Sequence, residues 1–122
     1  MNDQEAYKLD KLIVTAKQLG SSSLYLVKLI GMGDQFQTSV EAASPMEAAV
    51  YVVEELTFAA HHPHKFFNRR KLAAQRSGAM GHEFDRMIEV ANEAVGYAAI
   101  NKENLVKAVF ALDDGTFRKL GG

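Results

Sequence analysis

The chain has 122 residues, 48% of them apolar, with no cysteine and with 14 Lys/Arg set against 15 Asp/Glu. That length suits one domain with a packed core, and only two prolines argue against compositional disorder. Absent cysteine removes disulfides, thiolate catalysis and cysteine-ligated metal from consideration.

Residues 4–19 are expected to form a surface helix. Leu9, Leu12, Ile13, Ala16 and Leu19 recur at helical spacing, with Lys8, Asp10, Lys11 and Gln18 turned away from them. Gly20 and Ser21 to Ser23 stop it.

Leu24 to Ile30 reads as a strand by β-branched and aromatic content, and Lys28 punctuates the face that carries Leu24 and Leu26. Gly31 to Asp34 is a reversal. Gln35 to Glu41 alternates cleanly, with Phe36, Thr38 and Val40 on one side and Gln35, Gln37, Ser39 and Glu41 on the other. The pair predicts an antiparallel hairpin.

Ser44, Pro45 and Glu47 supply an N-cap, an N1 proline and the N3 acid of a capping box. The helix they start is expected to run to about Ala60 on a stripe of Met46, Ala49, Val50, Val53, Leu56 and Ala60. Tyr51 and Phe58 form a second apolar face, so the helix is either sandwiched between layers or covered by a partner.

Lys65 to Arg76 predicts a short helix, followed by flexible Ser77 to Gly81. Residues 82–99 predict another amphipathic helix, with Phe84, Met87, Ile88, Ala91, Val95 and Ala98 as its stripe. Val90 and Tyr97 form an extra apolar pair. From Val106 to Leu112 the pattern alternates, and Asp113 to Thr116 signals a reversal. Asn101 could instead cap a helix beginning at Lys102, so 102–112 is open between helix and strand; the favoured expectation is a second hairpin returning through Phe117 to Leu120.

The fold class implied is α+β, a small and mainly antiparallel sheet of two hairpins packed by amphipathic helices in one domain spanning 1–122. Residues 61–82 form a basic, partly mobile segment within it. It holds five Lys/Arg, all four histidines and no carboxylate, whereas 1–60 carries eight acids to four bases and 83–122 seven to five.

This polarity points to binding. Lys65, Arg69, Arg70, Lys71 and Arg76 form the expected charged surface, and Tyr51 or Phe58 supplies the apolar anchor. The leading reading is a non-catalytic interaction or regulatory factor engaging a protein partner or a second copy of itself. The alternative is a nucleic-acid-binding factor whose residues 65–76 contact phosphates. A lesser alternative is a small enzyme pairing His62 or His82 with Glu54, Glu55, Glu83 or Asp85.

No cofactor or metal is expected, because Pro63 breaks the spacing of His61, His62 and His64 needed on one helix face. No apolar run reaches the roughly 18 residues of a membrane span. The N-terminus, alternating charged and apolar residues, is unlike a signal peptide, so the expected setting is cytoplasmic.

Overall fold

The computed structural model describes residues 4–31 and 33–121; Met32, in the expected reversal, lies outside them. Five strands, β1 (Gln4–Leu9), β2 (Leu12–Gln18), β3 (Leu24–Gly31), β4 (Asp34–Glu41) and β5 (Arg118–Leu120), form one antiparallel sheet in the order β4-β3-β2-β1-β5. Four helices, α1 (Pro45–His61), α2 (Pro63–Arg76), α3 (His82–Ile100) and α4 (Lys102–Asp114), complete an α+β fold. The class matches the sequence reading, while the order of elements differs at both ends.

At the N-terminus the expected helix is a hairpin. A two-residue turn, Asp10-Lys11, separates two alternating runs. Tyr7 and Leu9 of β1 and Leu12, Val14 and Ala16 of β2 are all buried on one face. Inserting the turn restores a period of two where the unbroken segment reads as a helical stripe. Asp10 takes φ = 56°, a left-handed conformation that Asp tolerates better than most side chains. Asp-Lys is not one of the dipeptides that announce a hairpin turn, so the local signal was weak.

At the C-terminus the expected second hairpin is helix α4. Leu105, Ala108 and Ala111 are buried along it, and α4 packs on α1 and β1. With Val and Ala filling the intervening positions, the alternation came without strand pairing. The Asp-Asp-Gly-Thr signal ends the helix instead. Gly115 adopts φ = 71° at the C-cap, and the Thr116 amide donates to Ala111 O at 3.0 Å. The return arm does become a strand, but β5 pairs with β1, closing the sheet edge across the chain termini. Lys119 meets Glu5 Oε1 at 2.8 Å there, and Tyr7, packed edge-on against Phe117, donates its hydroxyl to Glu5.

Helix α1 starts as its capping signal requires, with Ser44 Oγ accepting from the Glu47 amide at 3.1 Å. It lies across β1 to β4 and touches α2, α3 and α4, which explains why it is apolar on more than one side. Its buried residues are Ala48, Ala49, Val52, Val53, Leu56 and Ala59, so the expected Met46, Val50 and Ala60 sit at the margin. On α3 the buried set is Ala91, Ala94, Tyr97 and Ala98; Phe84, Ile88 and Val95 are half-buried and Met87 is exposed. Small side chains dominate these inner faces and let neighbouring helices approach closely. Asn101, fully buried at the α3–α4 junction, donates to Tyr97 O at 3.1 Å.

Strands β1 to β4 bury one face against the helices and leave the other outside. The inner face carries Tyr7, Leu9, Leu12, Val14, Ala16, Tyr25, Val27, Leu29 and Phe36. No helix contact covers the outer face among the described residues.

Candidate interaction site

The expected charged surface divides between two sides of α2. Phe66, Arg70 and Ala73 share one side of the helix and line a groove with Tyr51 and Glu55 of α1, residues 34–40 of β4, and Arg86, Met87, Val90 and Tyr97 of α3. The groove has a volume of about 830 Å³. Inside it Arg70 donates to Glu55 Oε2 at 3.0 Å and lies over the Phe66 ring at 5.1 Å. Tyr97 is 4% exposed and packs against Phe36 at 5.8 Å between ring centroids, and its hydroxyl has no partner among the described residues. Burial, followed by the nearby Asp34 carboxylate, pushes its phenol up to about 12.

The other side of α2 holds Lys65, Arg69 and Arg76, with Leu72 exposed among them. Arg69 stacks over Phe58 at 4.5 Å, and Phe58 also meets the His62 ring. Tyr51 and Phe58, taken together as an anchor in the sequence, are thus separated: Tyr51 is a groove wall, 45% exposed, while Phe58 is capped by the chain's own side chains. Arg69 and Arg70 are both engaged internally, whereas Lys65, Lys71 and Arg76 remain exposed without an ion pair among the described residues. The structure does not gather the five cations into one receiving surface.

A second cationic surface was not legible as such. Register places Lys8, Lys17, Lys28 and Arg118 together on the outer face of the sheet. Lys8 sits directly opposite Arg118, Lys28 is flanked by Thr15 and Gln37, and Lys17 lies beside Leu26. Like charges placed opposite each other across two strands are unfavourable, yet the fold holds Lys8 and Arg118 there. Ile13, Leu24, Leu26, Ile30 and Leu120 fill the spaces between the cations, and Ile30 is 40% exposed. Glu41, at a corner of β4, is the one acid on this face among the described residues. None of the four cations has an ion pair among the described residues.

Reading residues 4–19 as a helix hid this surface, because it sent Lys8 and Lys17 to unrelated positions. The available clue was Lys28, which interrupts an otherwise aliphatic strand face.

The histidines do not converge. His61 Nδ1 pairs with Thr57 O at 2.9 Å, His62 ends α1, and His64 and His82 are exposed in the first turns of α2 and α3. No group of three or more His, Cys, Asp or Glu able to hold a metal ion occurs among the described residues. None of His62, His82 and Glu54 lines the groove. No helix among the described residues is long and apolar enough to cross a membrane. A further apolar corner stands where α3 meets α4, with Ile100 and Phe110 exposed and Val106 half-buried beside them.

In comparisons with known proteins, no family model, no curated protein and no solved structure matches this chain.

Proposed function

We propose that this protein is a non-catalytic interaction factor whose outer sheet face docks an acidic protein partner. The observation that carries the reading is the composition of that face: four cations without internal partners, one acid, and aliphatic side chains set between the charges. Cations steer an acidic surface into place and fix its register, while the desolvated aliphatic contacts supply affinity that solvated ion pairs lack. A nucleic acid uses the same cations differently. It gains from aromatic platforms on which bases stack, and the described residues of this face carry none.

On α2, Lys65, Lys71 and Arg76 with Leu72 form the second candidate contact, on the helical side of the molecule. Charge reversal separates the two surfaces. The tagged full chain and its Lys17→Glu/Lys28→Glu and Lys65→Glu/Lys71→Glu variants are used to recover partners from the source cells after nuclease treatment. The expected result is an acidic protein retained by the wild type and the α2 variant and lost from the sheet variant. Loss only with the α2 variant moves the site to that helix. Recovery of nucleic acid alone, abolished by nuclease, contradicts the protein-partner reading.

A further inference from the structure

Strand β4 ends the sheet on one side, and its open edge has a defined hydrogen-bond pattern. The Ala42 amide donates to Ser23 O at 3.0 Å, which places Ser23 and Ala42 as a hydrogen-bonded pair of the β3–β4 ladder. Alternation then assigns the inward-facing backbone groups to Val40, Thr38, Phe36 and Asp34, opposite Tyr25, Val27, Leu29 and Gly31. Gln35, Gln37, Ser39 and Glu41 point their backbone groups away from β3. The Gln35 amide confirms the direction, since it is taken by Asp34 Oδ1 at 3.0 Å. The amides of Gln37, Ser39 and Glu41 and the carbonyls of all four residues therefore take no part in the fold's own ladder among the described residues.

Such an edge is a template for another strand, and folded proteins blunt it with lysine, proline or a bulge. β4 has none of these: its sequence is Asp-Gln-Phe-Gln-Thr-Ser-Val-Glu, paired without interruption over eight residues. The opposite edge, β5, has three residues and carries Arg118 and Lys119.

We infer that β4 pairs antiparallel with β4 of a second copy of this chain, joining two sheets into one of ten strands. The inference is independent of the sheet-face reading. A two-fold axis at Thr38 satisfies the exposed edge best. It sets Gln37 opposite Ser39 of the second copy and Gln35 opposite its Glu41, so the outward-facing residues of β4 all meet outward-facing residues. On the outer face, the Glu41 carboxylate meets a neutral amide and no like charge. On the inner face, Phe36 meets Val40 and the two Thr38 hydroxyls meet each other, both favourable cross-strand pairs.

The same axis turns α3, which lies beside β4, antiparallel to its copy. Tyr51 and Met87, exposed at the mouth of the groove, are brought towards the contact. A second copy is favoured over an unrelated strand because one register about one axis satisfies backbone, charge and apolar side chains together.

The test uses the full chain in sedimentation equilibrium between 1 and about 200 μM, where the wild type is expected at twice the 13.4 kDa chain mass. Gln37→Pro removes an outward amide without touching the β3 ladder, so it should yield a monomer with unchanged circular dichroism. Gln37→Lys, which keeps the backbone intact, should weaken the dimer at least tenfold. In a protein without cysteine, Thr38→Cys should cross-link to itself on oxidation, and Gln35→Cys, far from its symmetry mate, should not. A wild-type monomer across the range, a dimer undisturbed by Gln37→Lys, or equal cross-linking of the two cysteine variants overturns the inference.

Discussion

The two faces of the sheet are built from the same strands and differ in almost everything else. Facing the helices, Tyr7, Leu9, Leu12, Val14, Val27 and Leu29 are buried to within 1%. One residue along in each strand, Lys8, Ile13, Lys17, Lys28 and Ile30 stand outside. The inner face is chosen for volume and the outer face for charge. Because side chains alternate, both demands are written into one stretch of sequence, and a linear scan of charge averages them away. The basic surface that such a scan finds, residues 61–82, is the one whose Arg70 and Arg69 turn back onto the chain's own Glu55 and Phe58.

Paired substitutions sharpen this comparison, and the largest effect belongs to the inner face. Leu29→Ala removes a fully buried side chain between β2, β4 and α1 and should cost about 2–5 kcal/mol in urea denaturation. Its neighbour Lys28→Ala should change stability by less than about 0.5 kcal/mol. Equal losses at the two positions would break the distinction.

Gly31→Ala comes next. Gly31 sits on the inner side of β3, and an added Cβ there would run into the Leu12 side chain, which is itself fully buried. Such overpacking should cost about 1–3 kcal/mol, read as a lower urea midpoint.

Tyr97 tests the polar lining of the groove. Its hydroxyl is buried without a partner, so Tyr97→Phe should leave stability unchanged or raise it by up to about 1 kcal/mol at neutral pH. Since the folded phenol is raised from 10.0 to about 12, its share of stability is present below pH 10 and lost as pH rises towards 12. The Phe variant should therefore show a shallower alkaline decline in thermal midpoint.

The smallest effect is at the β5 edge. Lys119, and then the Tyr7 hydroxyl, hold the Glu5 carboxyl below its usual value. A depressed folded value stabilises at pH above the ordinary carboxylate range, and the stabilisation disappears as pH falls through the lowered value. Lys119→Gln should cost about 0.5 kcal/mol and remove the acid-induced rise in amide exchange across β5.

Much of this fold could be read before the structure. The Ser44-Pro45-Glu47 start of α1, the β3–β4 hairpin and the long stripe of α3 each carry a local signal that agrees with their tertiary role. The two ends failed for opposite reasons. At β1–β2 a two-residue turn with uninformative chemistry let two strands imitate one helix. In α4, Val106, Ala108, Phe110 and Leu112 at alternate positions let a helix imitate a strand. Both errors concern the elements that meet β1, whose pairing with β5 joins residues 110 to 114 positions apart. No local pattern records that pairing. The candidate site suffered most, because Lys8, Lys17 and Arg118 share a surface with Lys28 only once the sheet register is known.

The central claim is that the open sheet face receives the partner. The most direct measurement is a two-dimensional amide and methyl spectrum of labelled full-length protein titrated with the acidic protein recovered from cells. The proposed docking predicts perturbations centred on Thr15, Lys17, Leu26, Lys28 and Ile30, weakening as salt rises, with Lys65, Lys71 and Leu72 unmoved. Perturbations confined to α2 and the groove, with the outer face silent, would contradict it.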